Sequence, residues 1–224
     1  MNSLKIKDTP WDSRVFGIYT AEILDYSSDT LTFAKSKPGH YTLKLKPLED
    51  KSLALAYGFY YCDTLLEPIC KKGELTISSH PDIQVSGDVP LSDLLKICHG
   101  AFSHGRFHRD PYLEKTLADK RYDRWLEDLA ENGKVYGLLM RNNIAGFIAT
   151  KDNQLQLHAV AKEYQGKGFA KYWWSTVCDH LFAQGYETVI SSISASNLPV
   201  LNLYASLGFR FLTALDVYHL LVSE

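Results

Sequence analysis

The chain has 224 residues, with 24 basic and 26 acidic side chains and a formal net charge of −2. This length allows one large domain or two small ones, and the balanced charge gives no general electrostatic reason to bind nucleic acid or an anionic membrane. Four cysteines without a Cys-x-x-Cys pair or zinc-ligand spacing fit a reducing cytoplasm. The amino terminus lacks the apolar core of a signal peptide, and no apolar run approaches a membrane span. We therefore expect a cytoplasmic protein without a bound metal.

The first part of the chain contains a pattern that recurs near the end. Residues 53–61 align with residues 203–211, and each segment reads as a helix that ends at a glycine and then enters a strand. The pattern is either a reduced copy of the same half-fold or a convergent turn, because helices commonly end in this way. Ala54 stands opposite Tyr204 in the alignment. A true copy would therefore carry no chemistry of its own.

Two strand-like runs followed by helix and strand breakers mark a domain boundary. The runs cover residues 74–79 and 82–86, and the breakers continue to Pro90. We expect a small N-terminal domain over residues 1–85 and a second domain over residues 86–224. No low-complexity linker separates them.

Hydrophobic periodicity predicts alternating helices and strands in the second domain. Two helices come first, and three strands follow, with a tight hairpin turn at residues 141–143. A helix with an apolar stripe then leads to a strand, another helix and a last strand from Phe209. The predicted helices cover residues 91–102, 122–132, 169–184 and 197–207, and the predicted strands cover residues 135–141, 144–151, 155–161 and 187–193.

The most informative segment is a glycine loop between a strand and a helix. Residues 164–171 read Tyr-Gln-Gly-Lys-Gly-Phe-Ala-Lys and directly follow an apolar strand. Such a loop presents backbone N–H groups at the positive end of a helix, where they can hold a phosphate or pyrophosphate. The nucleotide-triphosphate loop needs Ser or Thr where the chain has Gly168, and the dinucleotide pattern needs a glycine where it has Lys171. Both patterns fail.

The remaining pattern, Gln-x-x-Gly-x-Ala over residues 165–170, resembles the acyl-coenzyme-A loop of the GNAT acetyltransferases. A second segment supports the resemblance, because Asn197 begins a predicted helix that carries Tyr204 and ends in a Leu-Gly-Phe turn. The resemblance implies an α/β (α+β) GNAT fold, with a mixed, mostly antiparallel sheet and flanking helices. It also implies an acetyl-CoA-dependent N-acetyltransferase. The alternative, a purely structural strand–helix turn, does not explain Asn197 and Tyr204.

The resemblance assigns residues to acetyl-CoA. The strand that ends at Ala159 and Val160 would pair its backbone with the pantetheine arm. Asn197 would contact the pantetheine or adenylate end, although it could simply be the N-cap of its helix. Lys167 is either a phosphate contact or a solvated loop lysine. The predicted pyrophosphate loop consists of Gln165, Gly166, Lys167, Gly168, Phe169 and Ala170.

Two side chains are predicted to be catalytic. Tyr204 sits where the family's general acid sits, and a phenol with a pKa near ~10 can give its proton to a thiolate; the alternative is a core tyrosine with its hydroxyl at the edge. His158 lies on the strand that should flank the acetyl group and could accept a proton from the amine. A histidine on a strand is more often structural, and His108 and Asp110 are further candidates for the base.

The acceptor is inferred from residues 101–112 and 122–127, which are rich in Arg, His and aromatic residues. Arginine offers fork-shaped donors to phosphates, and aromatic faces stack on bases or sugars. The alternative is a helix–loop–helix with aromatic residues in its core. With residues 11–17, these segments resemble the bacterial TDP-fucosamine acetyltransferases and related nucleotide-amino-sugar N-acetyltransferases. The predicted acceptor residues are Arg106, Phe107, His108, Tyr112, Tyr122 and Trp125.

This resemblance implies acetyl transfer to a nucleotide-linked 4-amino-4,6-dideoxyhexose in surface-polysaccharide synthesis. Two alternatives stay open: another amine, such as a protein N-terminus, an antibiotic or a polyamine, and a coenzyme-A-binding sensor without catalysis. A polyamine would favour an acidic cleft, and the arginines of residues 106–109 argue against it. The expected partners are small molecules, without nucleic acid or membrane, and a homodimer is left open.

Overall fold

The computed structural model describes residues 5–223, which form two compact units. The first unit contains residues 5–65, 103–121 and 214–223, and the second contains residues 66–102 and 122–213. The units are divided differently from the predicted domains, because residues 66–85 belong to the second unit and the chain returns to the first unit twice. The division at residue 85, with a degenerate first domain, stays a prediction.

Helices and strands alternate along most of the chain. The helices are α1 (Pro10–Phe16), α2 (Ser28–Ser36), α3 (Ser52–Ala56), α4 (Leu91–Cys98), α5 (Arg106–Arg109), α6 (Lys115–Asn132), α7 (Ala170–Ala183) and α8 (Leu198–Ser206). The strands are β1 (Ile6–Asp8), β2 (Thr20–Ile23), β3 (Gly39–Leu45), β4 (Tyr60–Lys71), β5 (Ile83–Ser86), β6 (Lys134–Met140), β7 (Asn143–Lys151), β8 (Gln154–Val160), β9 (Thr188–Ser191), β10 (Ile193–Ser194) and β11 (Arg210–Val222). None of the helices in residues 5–223 is long and apolar enough to cross a membrane.

Each unit contains a mixed sheet. In the first unit the strand order is β1-β2-β3-β11-β4, with β2 parallel to β3 and antiparallel pairing of β1 with β2 and of β3 with β11. In the second unit the order is β4-β9-β8-β7-β6-β5, in which only the β8–β9 pair is parallel. The predicted fold class is confirmed: a mixed, mostly antiparallel sheet with flanking helices.

The hairpin between β6 and β7 confirms the predicted tight turn. Met140 pairs with Asn143, so Arg141 and Asn142 form a two-residue loop, and both have positive φ angles of 49° and 65°. Positive φ at both central residues is the geometry that matches the twist of the flanking strands. The predicted apolar stripe of α7 is buried at Trp173, Trp174, Val177, Cys178 and Leu181 and only partly buried at its start, at Phe169 and Ala170.

The predicted strand over residues 74–79 is wrong. Ser78 bonds to helix α7 instead, because its N–H donates to Ser175 Oγ at 3.3 Å and its carbonyl accepts from the same hydroxyl at 3.1 Å. The Thr76 N–H donates to the carbonyl of Leu207 at 3.0 Å. These backbone groups are satisfied by helical partners, which an alternating pattern of side chains does not reveal.

Two helix boundaries also differ from the predictions. Helix α4 ends at Cys98, because Gly100 has a φ of +75° that does not continue a right-handed helix. Helix α6 begins at Lys115, seven residues before the predicted start at Tyr122. The first two turns are polar, so hydrophobic periodicity does not detect them.

The two aligned segments have the same backbone hydrogen bonds. Phe59 N–H donates to the Ala54 carbonyl at 3.0 Å, and Phe209 N–H donates to the Tyr204 carbonyl at 3.1 Å. The glycine before each phenylalanine has a positive φ, as expected at a helix end. The predicted helix–glycine–strand turn is therefore present in both units.

Candidate active site

Strands β8 and β9 separate after a short stretch of pairing. Their parallel register consists of Gln154 with Ile190 and Leu155 with Ser191. Strand β8 continues to Val160, still paired with β7 on its other side. Within the residues that the structure describes, residues 156–160 thus have one edge that does not pair with β9. An unpaired strand edge offers N–H and C=O groups to an extended ligand.

Tyr204 and His158 meet at this opening. The Tyr204 hydroxyl on α8 lies 3.1 Å from His158 Nε2 on β8. Ser191, the last β9 residue that pairs with β8, donates its hydroxyl to the Leu155 carbonyl at 2.8 Å. Tyr204 is completely buried, whereas His158 is only partly buried.

The protonation states of this pair follow from burial. Burial lowers the pKa of His158 to about 4, although a hydrogen bond to its own backbone carbonyl opposes the change. Burial also raises the pKa of Tyr204 above its ordinary value, and the neighbouring Ser191 and Trp174 side chains offset part of this rise. At neutral pH the imidazole is neutral with its proton on Nδ1, so the Tyr204 hydroxyl donates to Nε2.

Aromatic packing fixes both side chains. The Tyr204 ring meets Phe209 edge-on with centroids 4.7 Å apart, and His158 meets Trp174 edge-on at 5.0 Å. Trp173, next to it on α7, donates its indole N–H to the Leu139 carbonyl at 3.0 Å. The pair is therefore held by the coenzyme-loop helix on one side and by the turn after α8 on the other.

The glycine loop leads into α7 with an open surface. Gly166 and Gly168 have φ angles of +71° and +76°, and a Cβ at either position would meet no atom within 4 Å. The Gln165 amide donates to the Val160 carbonyl at 2.7 Å, which joins the loop to the end of β8. Phe169 occupies the N-cap position, and no described side chain caps the helix.

These features fit an acyl-CoA. The first N–H groups of α7 lack intrahelical partners, and an anion can satisfy them. The exposed Lys167 and Lys171 add positive charge beside the loop. The free edge of β8, which includes the predicted Ala159 and Val160, can pair with a pantetheine amide chain. The predicted coenzyme loop and the unpaired strand edge therefore lie in the same unit as the Tyr204–His158 pair.

Asn197 is the N-cap of α8, because its Oδ1 accepts the Val200 N–H at 3.4 Å. Of the two roles predicted for Asn197, the structure shows the helix N-cap. A contact with the coenzyme stays a prediction.

The predicted acceptor residues are divided between the units. Arg106, Phe107, His108 and Tyr112 belong to the first unit, and Tyr122 and Trp125 belong to the second. Two of the aromatic rings are core residues: Phe107 is 2% exposed and packs on Phe16 at 5.4 Å, and Tyr122 is 8% exposed and stacks on Phe102 at 4.5 Å. Their packing gives these rings a structural role.

The other predicted acceptor residues have different surroundings. His108 Nε2 lies 2.8 Å from the Asp119 carboxylate. The Arg106 guanidinium lies 4.7 Å from the Phe107 ring, and Tyr112 is 63% exposed. Trp125 is partly buried beside Tyr122. Of the aromatic residues in this set, Tyr112 presents the most open face to a ligand.

Sequence reasoning missed Trp174 and Ser191 as contacts of the catalytic candidates. Trp174 reads as one more apolar residue of the α7 stripe, and Ser191 as a polar end of a strand. No spacing rule links either to Tyr204, since α7, β9 and α8 meet only through tertiary packing. Only the predicted pairing of Ala159 and Val160 with the pantetheine arm pointed to this place.

The chain is similar to known acetyltransferases. The model of the acetyltransferase (GNAT) family matches residues 93–209. The chain is 30% identical over 115 residues to the [ribosomal protein bS18]-alanine N-acetyltransferase of Escherichia coli K12, a match that covers 51% of this chain and 74% of that enzyme. This match extends over about half of the chain.

Two solved structures share the fold over nearly the entire chain. A GCN5-related N-acetyltransferase from Sphaerobacter thermophilus superposes with a TM-score of 0.64 at 12% identity, covering 98% of this chain and 76% of the other. A tandem GNAT protein from the clavulanic acid biosynthesis pathway gives a TM-score of 0.56 at 10% identity, covering 92% and 76%. At these identities the similarity concerns the fold alone.

Proposed function

The chain belongs to the GNAT acetyltransferase family, and on that premise we propose that this acetyl-CoA-dependent N-acetyltransferase uses Tyr204 as its proton donor and acetylates the amine of a nucleotide-linked amino sugar. The observation that supports the chemistry best is the Tyr204–His158 hydrogen bond at the opening between β8 and β9. Four buried, free cysteines are compatible with a cytoplasmic enzyme.

The loop and the strand edge bind and orient the donor. Acetyl-CoA supplies an activated thioester, whose carbonyl carbon an amine can attack. Gly166 and Gly168 leave space for a pyrophosphate at the N-terminus of α7, and residues 156–160 of β8 present backbone groups to the pantetheine arm. Holding the donor at two points restricts its orientation before the acceptor arrives.

Tyr204 holds the proton that a leaving thiolate requires. Its pKa is raised by burial, so the phenol is fully protonated at neutral pH. Rotation about the C–O bond can redirect its O–H from His158 to a sulfur at the opening. In the overall reaction the amine loses one proton and the thiol gains one, so the phenol is restored when it takes up the proton that the amine released.

His158 positions Tyr204 in this proposal and is not the base that deprotonates the amine. Its Nε2 already accepts the Tyr204 hydroxyl, and its pKa of about 4 makes it a weak base at neutral pH. Asp110, another candidate for the base, is buried among histidines of the first unit. No side chain is therefore assigned as a general base, and an acceptor that arrives as a neutral amine needs none before attack.

The amino-sugar acceptor is supported by exposed aromatic and cationic groups of the first unit. Tyr61 and Tyr112 are 48% and 63% exposed, and the Arg109 guanidinium lies 5.8 Å from the Tyr61 ring. The Arg109 guanidinium also donates to the Asp63 carboxylate at 2.9 Å, and this contact fixes the orientation of the guanidinium. Aromatic faces next to a fixed guanidinium suit a base and a phosphate of a nucleotide sugar.

A protein N-terminus is the second candidate acceptor, favoured by the 30% identity to the bS18-alanine N-acetyltransferase. That similarity covers 51% of this chain. Arg109 and Tyr112 lie within the family match, which begins at residue 93, whereas Tyr61 lies before it. A peptide acceptor would not require them. Changes to these exposed groups should therefore lower turnover of the nucleotide sugar and leave turnover of the peptide unchanged.

Steady-state kinetics with both acceptor classes test the proposal. Release of coenzyme A is measured with nucleotide-linked 4-amino-4,6-dideoxyhexoses, with the same sugars lacking the nucleotide, and with a peptide that begins with alanine. We expect kcat/KM to be highest for the nucleotide sugar and to fall when the nucleotide is removed. Preference for the peptide would assign the enzyme to N-terminal acetylation instead, and absence of turnover with every amine would favour a coenzyme-binding sensor.

A further inference from the structure

Three buried side chains from distant segments converge inside the first unit. His40 lies on β3, Asp110 directly follows α5, and His219 lies on β11. Asp110 Oδ2 is 2.9 Å from His40 Nε2 and 2.7 Å from His219 Nδ1, and the three ligand atoms all lie within 4.8 Å of one another. All three residues are no more than 2% exposed. Two imidazoles and one carboxylate form a donor set that first-row divalent metal ions bind.

A second layer of hydrogen bonds orients the carboxylate. The Tyr60 hydroxyl donates to both oxygens of Asp110 at 3.0 Å, and the Tyr112 N–H donates to Oδ1 at 2.9 Å. Oδ1 is thus held by groups outside the cluster, and Oδ2 is directed at the two imidazoles. Ligating carboxylates in metal sites are commonly held in this way. Although burial raises the pKa of Asp110, the hydrogen bonds from His219, His40 and Tyr112 outweigh it, and the group is ionised.

Hydrogen bonding alone leaves one polar atom of the cluster unsatisfied. His219 Nε2 is buried and has no hydrogen-bond partner in the part of the chain that the structure describes. The Phe107 ring centroid lies 5.7 Å from the His219 ring, so the surroundings include apolar surface. An unsatisfied buried group is costly, but the atom beside Oδ2 is Nδ1, so Nε2 is not itself a ligand of the proposed ion. The cost of a buried, charged carboxylate would also fall if a cation replaced the two shared protons.

The distances permit coordination after a small adjustment. Tetrahedral zinc with bonds of about 2.0–2.2 Å places its ligand atoms about 3.4 Å apart. The present separations of 2.9 and 2.7 Å are shorter, so the two rings would move away from Oδ2 by roughly half an ångström. The His40 and His219 rings are 4.6 Å apart in an edge-on arrangement, and their planes are not stacked against each other. Coordination requires a change of tautomer in both rings, because His219 would bind through Nδ1 with its proton on Nε2, and His40 would bind through Nε2 with its proton on Nδ1.

We propose that His40, Asp110 and His219 bind one divalent transition-metal ion, with Zn²⁺ the preferred ion, as a structural site of the first unit. The site would join β3, β11 and the segment after α5, which are far apart in sequence. It takes no part in acetyl transfer, so it stands whether or not the acceptor proposal holds. A search for closely spaced ligands in the sequence could not reveal this site, because Asp110 is 70 residues from His40 and 109 residues from His219.

Metal content is measured on the full chain. Because the site is buried, the ion is offered during folding: the protein is unfolded with chelator, refolded with one equivalent of Zn²⁺ or Co²⁺, desalted and analysed for metal. We expect about one ion per chain, absorption bands of a low-symmetry Co²⁺ site, and a higher unfolding temperature than for protein refolded with chelator. Wild-type protein that retains no metal after this treatment would overturn the proposal.

Two substitutions and a matched control locate the ion. Asp110→Asn keeps the side-chain volume and removes the charge, and His219→Gln removes a ring nitrogen; each should reduce bound metal at least tenfold. His99→Gln changes an exposed histidine that also lies 2.7 Å from a carboxylate, Asp123, and should leave metal content unchanged. Equal metal binding by all the variants would show adventitious binding elsewhere and would also overturn the proposal. If a variant fails to fold, the wild-type Co²⁺ spectrum still decides, since imidazole ligation gives a spectrum distinct from that of hydrated Co²⁺.

Discussion

The hydroxyl of Tyr204 lies 3.1 Å from Nε2 of His158, at the place where strands β8 and β9 separate. The phenol is completely buried, and His158 Nε2 is the nitrogen that accepts its proton. Because burial keeps His158 neutral, the imidazole acts as an acceptor and gives the phenol a defined direction. This hydrogen bond connects Tyr204, the proposed acid, to the strand whose unpaired edge is proposed to bind the coenzyme.

The neutral state of His158 predicts a dependence of stability on pH. Its pKa is about 4 in the folded protein and near ~6.5 in the unfolded chain. The unfolded state therefore binds more protons between these values, and the free energy of unfolding falls as the pH drops from 6.5 to 4. We expect this residue alone to reduce stability by roughly 2–3 kcal/mol between pH 7 and pH 4.5, measured by denaturant unfolding.

His158→Gln isolates that contribution, because glutamine does not titrate in this range. The variant should lose less stability than wild type over the same pH interval. Equal losses in the two proteins would mean that folding does not lower the pKa of His158, and would contradict the neutral state assigned to it by burial.

The positioning role of His158 is tested by whether an acceptor atom restores activity. His158→Phe removes the acceptor and should lower kcat about tenfold, while the affinity for acetyl-CoA stays nearly the same. His158→Gln supplies a carbonyl oxygen that can accept the phenol proton and should recover much of the loss. Single-turnover rates and calorimetric affinities provide the comparison. If both variants lose activity equally, His158 has a role that requires its imidazole.

The loop assignment is tested with alanine at two glycines. Gly168 and Gly185 have φ angles of +76° and +100°, and a Cβ at either would meet no protein atom within 4 Å. Both substitutions should therefore cost similar stability, about 1 kcal/mol. Only Gly168→Ala should weaken acetyl-CoA binding, tenfold or more, because only this glycine faces the proposed pyrophosphate position. Equal affinities of the two variants by calorimetry would remove the loop from the coenzyme site.

The acceptor proposal predicts an effect confined to the nucleotide sugar. Arg106→Ala should raise KM for this acceptor about tenfold or more, since a charge-assisted contact contributes roughly 1.5–3 kcal/mol, and should leave KM for acetyl-CoA unchanged. Arg124→Ala removes an exposed arginine of α6 that pairs with Glu127, and serves as the control. An equal response of the free sugar and the nucleotide sugar to Arg106→Ala would mean that Arg106 does not contact the nucleotide.

The sequence predicted the elements around the coenzyme better than those of the acceptor region. The glycine loop, the α7 stripe and the 141–142 turn depend on local rules of glycine geometry and periodicity, which single segments reveal. Phe107 and Tyr122 looked like ligand-stacking rings, because composition does not show which aromatic residues have a packing partner. Phe16 and Phe102 supply those partners.

The proton-donor pair shows the same limit. Tyr204 and His158 were each predicted, but their hydrogen bond was not, because α8 and β8 are 46 residues apart at these positions and meet only in the fold. The role of His158 follows from that contact and from burial. Neither property can be inferred from the identity of a residue on a strand.

The central claim is that Tyr204 supplies the proton to the leaving thiolate, and Tyr204→Phe tests it most directly. The substitution keeps the ring that packs on Phe209 and removes the hydroxyl; Tyr186→Phe, on the loop after α7, is the control. Single-turnover acetyl transfer should fall about 10²–10⁴-fold in Tyr204→Phe, with acetyl-CoA affinity within a factor of a few of wild type. The control should retain the wild-type rate. A Tyr204→Phe rate within a factor of a few of wild type would contradict the claim and leave Tyr204 as a residue of the core.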